Sequence, residues 1–299
     1  MSKTVLVELS DALADAAELA GKSTILVDAR RRIPASGIVF GPDLVLTAEH
    51  VIEKDEDISI ILADGTEVSA MIAGRDAGTD LAVLKLERAA GMAAELTKSP
   101  ARLGQFALAL ARPSRDGIEA SLGTVSAIGG PVRTSHGGML ERYYRTDSIS
   151  YPGFSGGPLV AADGTILGLN TSGLSNGPAI TVPADIAWNI GETLARHGQI
   201  KRGYLGIRSQ TVELPGASQD ALKRGQAAGL LIMSVEKNSP AAKGGLIVGD
   251  ILVAVAGNPV QHHDELFARL NGDVVGKSTP VEILRGGQPQ TLNVLVGER

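Results

Sequence analysis

Short apolar stretches separated by turn residues fill the middle of the chain. Between residues 23 and 181, runs of Val, Ile, Leu and Ala of strand length alternate with Gly, Asp-Gly and Pro-Gly positions. Asp64-Gly65 and Asp163-Gly164 have the composition of tight hairpin turns. Many short strands with turns between them are typical of β-barrels. This region is therefore predicted to be mostly β.

Apolar residues at helical spacing flank this region on both sides. Ser10 is a candidate N-cap for a short helix that Gly21 would end. The apolar face of that helix would consist of Leu13, Ala16, Ala17 and Ala20. Residues 183–197 carry Ile186, Ile190 and Leu194 at the same spacing. We expect this second helix to close the β domain, with a short linker after it.

One glycine-rich segment, Gly153-Phe154-Ser155-Gly156-Gly157-Pro158, places a single serine on a turn. Glycine lets the backbone fold tightly there and expose its N–H groups. A nucleophilic serine needs such a loop, because the loop must also donate hydrogen bonds to the oxyanion that forms when the serine attacks a carbonyl. A plain glycine turn between two strands is the alternative, and the segment alone leaves both open.

A nucleophilic serine also needs a base, and the chain has five histidines. His50 comes at the end of the apolar run 44–48, as expected at the end of a strand. The others are explained more simply as loop, helix-end or surface residues: His136, His197, His262 and His263. By elimination His50 is the candidate general base, and a structural histidine at a strand end is the alternative.

The third group of a serine triad is a carboxylate that orients the histidine. Asp80 stands at the head of the apolar run 81–86, where burying a carboxylate is costly unless it is paired. Asp76, in a polar turn, is the competing candidate. With Asp80 the order is His50, Asp80, Ser155, which is the order of chymotrypsin-like enzymes rather than of subtilisins or α/β-hydrolases.

Composition and charge limit the other functions. A length of 299 residues is enough for one large or two ordinary domains. The net charge of −5 argues against nucleic-acid binding, and Arg30-Arg31-Arg32 is interpreted as a solvated turn. There is no cysteine for a disulfide, and the histidines lack neighbouring metal ligands. No cofactor is therefore expected.

The N-terminal residues lack the apolar core of a signal peptide, because Glu8 and Asp11 interrupt them. No run approaches the roughly 20 apolar residues of a membrane span. With Met1 as the native start, the sequence predicts a cytoplasmic protein. An exported protein with a trimmed N-terminus is the alternative.

Three segments resemble the catalytic segments of the HtrA/Deg serine proteases. They are residues 47–51, 79–86 and 146–159, and residues 166–171 are similar to the strand that follows the nucleophile in that family. The resemblance implies a mostly β fold: a chymotrypsin-like double β-barrel protease domain followed by an α+β PDZ domain. It divides the chain into an N-terminal segment with a short helix (1–22), a trypsin-like protease domain (23–198) and a PDZ domain (199–299).

The resemblance also implies a function, that of an ATP-independent serine endopeptidase that degrades unfolded or damaged proteins through His50, Asp80 and Ser155. The oxyanion hole would lie in the loop formed by Gly153, Phe154 and Ser155. The primary specificity pocket would be lined by Ile149, Ser150, Asn170, Thr171 and Ser172. Since no acidic residue stands at its base, we expect cleavage after small or medium aliphatic residues rather than after Lys or Arg.

Residues 202–207 resemble the carboxylate-binding loop of bacterial PDZ domains. A glycine beside extended backbone leaves consecutive N–H groups free for a terminal carboxylate, and a peptide can then add as a strand. The predicted peptide-binding residues are Tyr204, Leu205, Gly206, Ile207, Leu266 and Leu270. The expected partners are unfolded protein or peptide substrates and PDZ ligand peptides. A homotrimer is also considered, although the aromatic trimer contacts common in the family have no counterpart before Phe40.

Two features depart from the family pattern. Phe154 stands where these proteases usually carry asparagine, and an aromatic ring cannot give the oxyanion loop a polar anchor. Residues 110–116 lack the usual glycine-bracketed proline turn. Both departures favour regulation of activity by a PDZ ligand. Phe154 also leaves open a catalytically silent PDZ scaffold or chaperone-like binding protein. A third alternative is an esterase-like hydrolase with the same triad, although the peptide-binding C-terminal domain favours a protein substrate.

Overall fold

The chain folds into two compact units, Met1–Ile200 and Lys201–Arg299. The computed structural model describes residues 4–134, 138–174, 178–270 and 274–298. Among these residues, three hydrophobic clusters lie in the first unit and two in the second. Each unit therefore buries a core of its own, as separate domains do.

The first unit begins with helix α1 (Val5–Gly21). It ends at Gly21 as predicted, but the predicted start at Ser10 is wrong. Thr4 occupies the N-cap position without a side-chain hydrogen bond, and Ser10 lies inside the helix. The sequence signal failed there because the first turns are exposed and leave no apolar periodicity to read. Farther along, Ala16 and Ala20 are buried in a core cluster.

Six antiparallel strands close the first barrel. They are β1 (Thr24–Asp28), β2 (Ala35–Val39), β3 (Leu44–Ala48), β4 (Ile58–Ile61), β5 (Glu67–Asp76) and β6 (Leu81–Leu86), in the order β1-β2-β3-β6-β5-β4 around the barrel. Fully buried Ile25, Val45 and Leu84 are among the apolar side chains that fill it. The predicted turn at Asp64-Gly65 joins β4 to β5.

A second closed barrel comes next in the chain. Its strands are β7 (Phe106–Ser114), β8 (Gly117–Gly129), β11 (Tyr143–Thr146), β12 (Pro158–Ala161), β13 (Ile166–Thr171) and β14 (Ile180–Pro183), in the order β11-β14-β13-β12-β7-β8. Between β8 and β11, the short strands β9 (Val132–Arg133) and β10 (Met139–Leu140) form a separate ribbon. The predicted turn at Asp163-Gly164 joins β12 to β13.

Helix α2 (Ala184–His197) follows the second barrel, as its apolar spacing predicted. Ala187 and Leu194 are buried in the same cluster as the α1 residues. Gly198 follows the helix with φ of +76°, a left-handed conformation that ends helices and favours glycine.

The second unit is a five-stranded antiparallel path with helices beside it. The order is β16 (Ile207–Glu213), β17 (Ala228–Val235), β18 (Ile251–Val255), β20 (Ser278–Arg285) and β21 (Gln288–Leu295), and β19 (Asn258–Pro259) pairs with β18. β15 (Gly203–Tyr204) pairs with β22 (Gly297–Glu298) near the two ends of the unit. The helices are α3 (Gly216–Leu222), α4 (Pro240–Lys243) and α5 (His263–Leu270).

The predicted fold class is confirmed, because the chain is mostly β with two closed six-stranded barrels ahead of the smaller unit. Within the described ranges, no helix combines the length and apolar character that a membrane crossing needs. The same residues contain no group of three or more His, Cys, Asp or Glu side chains placed to hold a metal ion.

Candidate active site

His50 and Asp80 are brought together by neighbouring strands of the first barrel. β3 and β6 pair with Ala48 opposite Leu81, so the residues that extend these ends lie side by side. A single 3-10 turn after β3 carries His50, and Asp80 immediately precedes β6. In the sequence His50 follows one apolar strand and Asp80 precedes another. Because β3 and β6 pair antiparallel, the end of β3 lies beside the start of β6 and the two residues come into contact.

The Asp80 carboxylate holds both the backbone and the ring of His50. The backbone N–H of His50 donates to Asp80 Oδ1 at 2.8 Å, and Nδ1 lies 2.8 Å from Oδ2 and 3.0 Å from Oδ1. The Asp80 side chain is 3% exposed and the His50 side chain 31%. With Nδ1–H donating to the carboxylate, Nε2 remains the acceptor that a general base uses.

Thr171 and Gly173 complete the surroundings of Asp80. The Thr171 hydroxyl donates to Asp80 Oδ2, and its oxygen accepts the N–H of Gly173 at 3.0 Å. A Cβ at position 173 would lie 2.5 Å from Asp80 Oδ2 and 2.6 Å from His50 Nδ1, so only glycine fits beside the pair. Gly173 was not among the predicted site residues, and Thr171 was predicted to line the specificity pocket rather than to bind Asp80.

The competing aspartate and the other histidines lie elsewhere. The Asp76 carboxylate accepts hydrogen bonds from the N–H and the hydroxyl of Thr79, at 2.9 and 2.7 Å. His197 ends α2, and His262 and His263 belong to the second unit. His136 lies outside the described residues.

Ser155 lines the same pocket as His50, but its hydroxyl is held by another serine. Ser155 Oγ lies 3.2 Å from Ser172 Oγ. Within the described ranges it makes no hydrogen bond to His50. Nucleophile and base are often farther apart without substrate than in the reacting complex, so this arrangement is a resting one.

The loop before Ser155 is a tight turn. Tyr151 O accepts the N–H of Phe154 at 3.1 Å across Pro152 and Gly153, and Gly153 has φ of +95°. Proline followed by a residue with positive φ is the pattern of a type II turn, which requires glycine at its third position. The glycine-rich motif therefore has a conformational reason at Gly153.

Ser36, at the second position of β2, binds the backbone carbonyl groups of two residues on either side of Phe154, Gly153 and Ser155. Its hydroxyl donates to Gly153 O at 2.8 Å, and its N–H donates to Ser155 O at 3.1 Å. The N–H groups of Gly153 and Ser155 donate to no acceptor in the part of the chain that the structure describes. Both groups lie in the loop predicted to form the oxyanion hole and are its candidate donors. Ser36, which supports this loop, was not among the predicted site residues.

Phe154 is anchored by packing rather than by a polar contact. It is 1% exposed and belongs to the core cluster of the second barrel with Tyr144 and Leu159. Its ring meets that of Tyr151 edge to face, with centroids 5.6 Å apart. Where the sequence resemblance predicts an asparagine, this chain thus has a buried aromatic ring, and the turn from Tyr151 to Phe154 still forms.

The pocket between these residues has a volume of about 430 Å³. Its lining includes Ser150, Asn170, Thr171 and Ser172 from the predicted specificity pocket. The Asn170 amide is engaged within the protein, because it donates to Pro158 O at 2.9 Å and accepts from Thr181 at 2.7 Å. Ile149 is exposed and does not line the pocket.

Asp147 holds the segment that leads to the specificity residues. Its carboxylate accepts the N–H of Thr124 in β8, and this hydrogen bond is the main cause that lowers the pKa of Asp147 below its usual value. The following Ile149 donates its N–H to Ser121 Oγ at 2.9 Å. The segment is therefore tied to β8 at two points.

In the second unit, the predicted carboxylate-binding loop joins β15 to β16. Gly206 has φ of +77°, and a Cβ there would lie 2.3 Å from Ser239 Cβ. The predicted groove residues Leu266 and Leu270, on α5, are buried in the core of the unit together with Leu205. Across from that helix, Ile207 begins strand β16 and Tyr204 lies in β15, where its hydroxyl donates to Glu236.

His263 forms a bridge that the sequence did not indicate. Its Nε2 lies 3.0 Å from Ser209 O and 3.1 Å from Ser209 Oγ, and it thus joins the start of α5 to β16. The two elements predicted to flank a peptide are therefore in direct contact at one end.

Comparison with known protein families assigns both units. Residues 35–169 match the family described as "Trypsin-like peptidase domain", and residues 203–296 match that described as "PDZ domain". Among solved structures, "HtrA-type protease AlgW with tripeptide" is 30% identical, with a TM-score of 0.78 over 96% of this chain and 97% of that one. A serine endoprotease from Yersinia pestis is 26% identical, with a TM-score of 0.79 over 96% and 98%.

Curated relatives carry a consistent description. A "Probable periplasmic serine endoprotease DegP-like" of Pseudomonas putida (strain GB-1) is 34% identical over 269 residues, or 88% of this chain and 55% of the relative. A protein with the same description from Rhizobium meliloti (strain 1021) is 31% identical over 276 residues, or 90% and 54%. The chain thus spans about half the length of these curated relatives.

These relatives overturn one prediction. The expected cytoplasmic location is wrong, because proteins from Pseudomonas, Rhizobium and Halomonas that match the chain are described as periplasmic, which points to an exported compartment. The prediction rested on the first residues of the sequence alone. Those residues carry no information about location when the chain spans only part of its relatives.

Proposed function

This chain belongs to the HtrA family of trypsin-like serine proteases with a PDZ domain, and on that basis we propose that it is a serine endopeptidase. Its substrates are unfolded or damaged proteins, and its action requires no ATP. The observation that carries the proposal is the hydrogen-bonded series from Thr171 through Asp80 to His50, whose two end residues line the same pocket as Ser155.

The reaction is acyl transfer through a serine ester. Ser155 Oγ forms a bond to the scissile carbonyl carbon while His50 Nε2 takes the hydroxyl proton. His50 returns that proton to the nitrogen as the C–N bond breaks, and water then hydrolyses the ester by the same route. Asp80 keeps Nδ1–H in place and stabilises the imidazolium.

The carbonyl oxygen becomes negatively charged in both tetrahedral intermediates. The N–H groups of Gly153 and Ser155 are the donors that receive it, and losing one such donor costs on the order of 10²–10³ in turnover. The type II turn and Ser36 position these donors before the substrate arrives. Before the attack the Ser155 hydroxyl must leave Ser172 and turn to His50.

The specificity pocket favours small or medium aliphatic residues before the scissile bond. Ser150, Ser172 and Ala179 line the active-site pocket, and none of them carries a charge that would attract Lys or Arg. Sequencing of casein fragments would reveal the preference. Fragments that end mainly in Lys or Arg would contradict it.

The second unit binds peptides with free C-termini along β16. Structures of the similar HtrA-type protease AlgW with a decapeptide and with a tripeptide support this proposal. A bound peptide changes activity only if it binds the active state more tightly than the resting one. Opening of the contact between His263 and Ser209 is the local change that we expect on binding.

Self-association is the remaining proposed partner interaction. Val5 and Leu6 at the start of α1 are 78% and 77% exposed, and they offer apolar contacts for a homotrimer. Light scattering on the intact protein and on Leu6→Asp would test it. A monomer at micromolar concentration in the unchanged protein would contradict the trimer.

The decisive experiment is casein cleavage by the intact protein and by Ser155→Ala, with and without peptides that end in a hydrophobic residue and a free carboxylate. Loss of Ser155 or His50 is expected to lower turnover by on the order of 10⁶, because triad members act as a unit. Activity that requires Ser155 but ignores the peptide would retain the protease and remove the regulation. A folded protein without Ser155-dependent activity would instead indicate a catalytically silent binding protein.

A further inference from the structure

Two arginines from the first barrel line the active-site pocket. The loop between β1 and β2 contributes Arg30, Arg32 and Ile33 to the same lining as His50 and Ser155. No aspartate or glutamate of the described residues is part of that lining. The run Arg30-Arg31-Arg32, interpreted from sequence as a solvated turn, therefore gives one wall of the pocket a positive charge.

Arg30 is held in place by neutral acceptors. Its Nε donates to Ile33 O and its Nη2 to Pro34 O, both within its own loop. Its side chain is half-buried, and burial lowers its pKa, while the nearby charge of Glu53 acts in the opposite direction. Fixing a guanidinium by carbonyl groups orients it without neutralising its charge.

Arg32 differs from Arg30 in being exposed. Within the residues described by the structure, neither Arg30 nor Arg32 forms an ion pair. Arg31, between them, is exposed and does not line the pocket. Arg30 and Arg32 thus differ from Arg31, a neighbour of identical chemistry, in lining the pocket.

The position of this wall relative to Ser155 follows from backbone contacts. A Cβ at Gly153 would lie 3.0 Å from Pro34 O, and Ser36 N–H binds Ser155 O, so the loop lies against the oxyanion turn on the side of the first barrel. In the proposed mechanism the residue whose carbonyl is attacked binds on the side of Ser150 and Ser172, which the second barrel contributes to the lining. With that binding mode the amine half of the substrate lies on the opposite side of Ser155, along the wall that carries the arginines.

We propose that Arg30 and Arg32 are specificity-determining residues that favour an acidic side chain in the first residues after the scissile bond. The inference rests on the proposed protease function. It adds which side chains the enzyme prefers in the part of the substrate that follows the scissile bond. Guanidinium–carboxylate hydrogen bonds are stronger than neutral ones and often bidentate, and Arg30 has donors left on Nη1 for such a contact.

The same wall could receive a terminal carboxylate instead of a side chain. A substrate cut a residue or two before its C-terminus would place its carboxylate where an acidic side chain would otherwise lie. The common chemistry is a carboxylate on the leaving-group side. Peptides with an acidic side chain and an amidated end, and neutral peptides with a free end, separate the two sources.

The test uses fluorogenic peptides of one sequence in which Glu or Gln stands at each position from the third before the scissile bond to the third after it. We expect kcat/KM to be about ten-fold higher for Glu than for Gln after the bond, which corresponds to roughly 1.4 kcal/mol. At positions before the scissile bond, kcat/KM should be equal for the Glu and Gln peptides. The preference should weaken with salt, because exposed charge pairs are screened.

The variants are Arg32→Ala and Arg30→Gln, which keeps a donor without the charge, and the matched control is Arg31→Ala. The pocket variants are expected to bring the Glu-to-Gln ratio of kcat/KM close to one, whatever their activity on the Gln peptides. The control should retain the full ratio. An unchanged ratio in both pocket variants, or a Glu preference only before the bond, would overturn the proposal.

A binding measurement separates this proposal from the proposed function. The same Glu and Gln peptides, labelled for fluorescence anisotropy, are titrated onto Ser155→Ala and onto Ser155→Ala combined with Arg32→Ala. Tighter binding of the Glu peptide that disappears with Arg32 supports the cationic wall even if no peptide is hydrolysed. Equal binding of both peptides to Ser155→Ala, together with normal cleavage by the intact protein, rejects the wall and leaves the protease.

Discussion

Asp80 is the most constrained side chain of the active site. It has φ of +53°, a left-handed conformation that few residues other than glycine, asparagine and aspartate adopt. Its carboxylate receives the His50 N–H, the His50 ring and the Thr171 hydroxyl. A strained backbone conformation such as that of Asp80 persists only where the surrounding contacts hold it. The orientation of the His50 ring therefore depends on the residues that hold Asp80.

Thr171→Val tests that control. The change keeps the shape of the side chain and removes one hydrogen bond to the buried carboxylate, so kcat should fall about ten- to a hundred-fold, in line with the roughly 1.5–3 kcal/mol of a hydrogen bond to a charged group. KM for a short peptide should change little. Thr171→Ser is the matched control and should retain most of the activity. Equal losses in both variants would assign Thr171 a packing role instead.

Ser36→Ala tests the support of the oxyanion loop. The substitution removes the donor to Gly153 O and leaves the backbone bond to Ser155 O intact. We expect lower kcat with nearly unchanged KM, and weaker binding of a peptide aldehyde, whose adduct needs the oxyanion hole. Thr47→Val serves as the control, because its hydroxyl donates to Ser36 O and, among the described residues, makes no hydrogen bond to Gly153, Phe154 or Ser155. A KM effect without a kcat effect would argue against the positioning role.

At the level of single residues, the sequence predicted the side chains that belong to local motifs. His50 and Asp80 stand beside apolar strands, and Ser155 stands in a glycine turn, so each left a signal. Ser36, Thr171 and Gly173 act through contacts between segments far apart in the chain, and a serine or a threonine in a buried strand gives no sign of which backbone it will meet. Those roles required the three-dimensional pairing of the strands.

Among the elements, α1 depends on an arginine that belongs to the second barrel. Arg112, in β7, donates from Nε to Thr24 O at 2.8 Å and from Nη2 to Gly21 O at 3.2 Å. The latter is a carbonyl at the end of α1, where the helix dipole favours a cation. The region around Arg112, which differs from the family pattern, thus fastens the helix to the barrels.

Arg112→Ala should therefore loosen α1. Removal of the two charge-assisted bonds is expected to lower the free energy of unfolding by about 1.5–3 kcal/mol, measured by urea denaturation. Limited proteolysis should cut within residues 5–21 before the barrels are attacked. Arg115→Ala is the control, since its exposed pair with Glu67 is screened by solvent and should contribute little to stability. Equal destabilisation by both changes would contradict this role for Arg112.

The elements themselves were largely readable from the sequence, with two instructive failures. The hairpins at Asp64-Gly65 and Asp163-Gly164 and helix α2 have strong local signals. The start of α1 was missed because its first turns are exposed, and α3 was missed because a helix as short as Gly216–Leu222 shows too little periodicity. The prediction of two closed barrels came from the family resemblance, because local sequence patterns do not indicate the order in which strands pair.

For the whole molecule, the separate cores predict separable activities. Residues 1–200 should fold alone and cleave a short peptide in a Ser155-dependent manner at the rate of the intact chain. They should not respond to peptides with free C-termini, whereas residues 201–299 should bind those peptides in isothermal titration calorimetry. A folded 1–200 fragment without peptidase activity would show instead that the second unit is required for catalysis.

The burial of Phe154 predicts how peptidase activity depends on temperature. Its ring joins the nucleophile's loop to Tyr144 and Leu159, so Ser155 inherits its position from the packing of the second barrel. Warming that lets those side chains exchange rotamers would move the loop while the strands are still paired. Peptidase activity should then disappear reversibly below the melting temperature. The activity of Ser155 would thus report the loosening of side-chain packing inside the second barrel before the barrel unfolds.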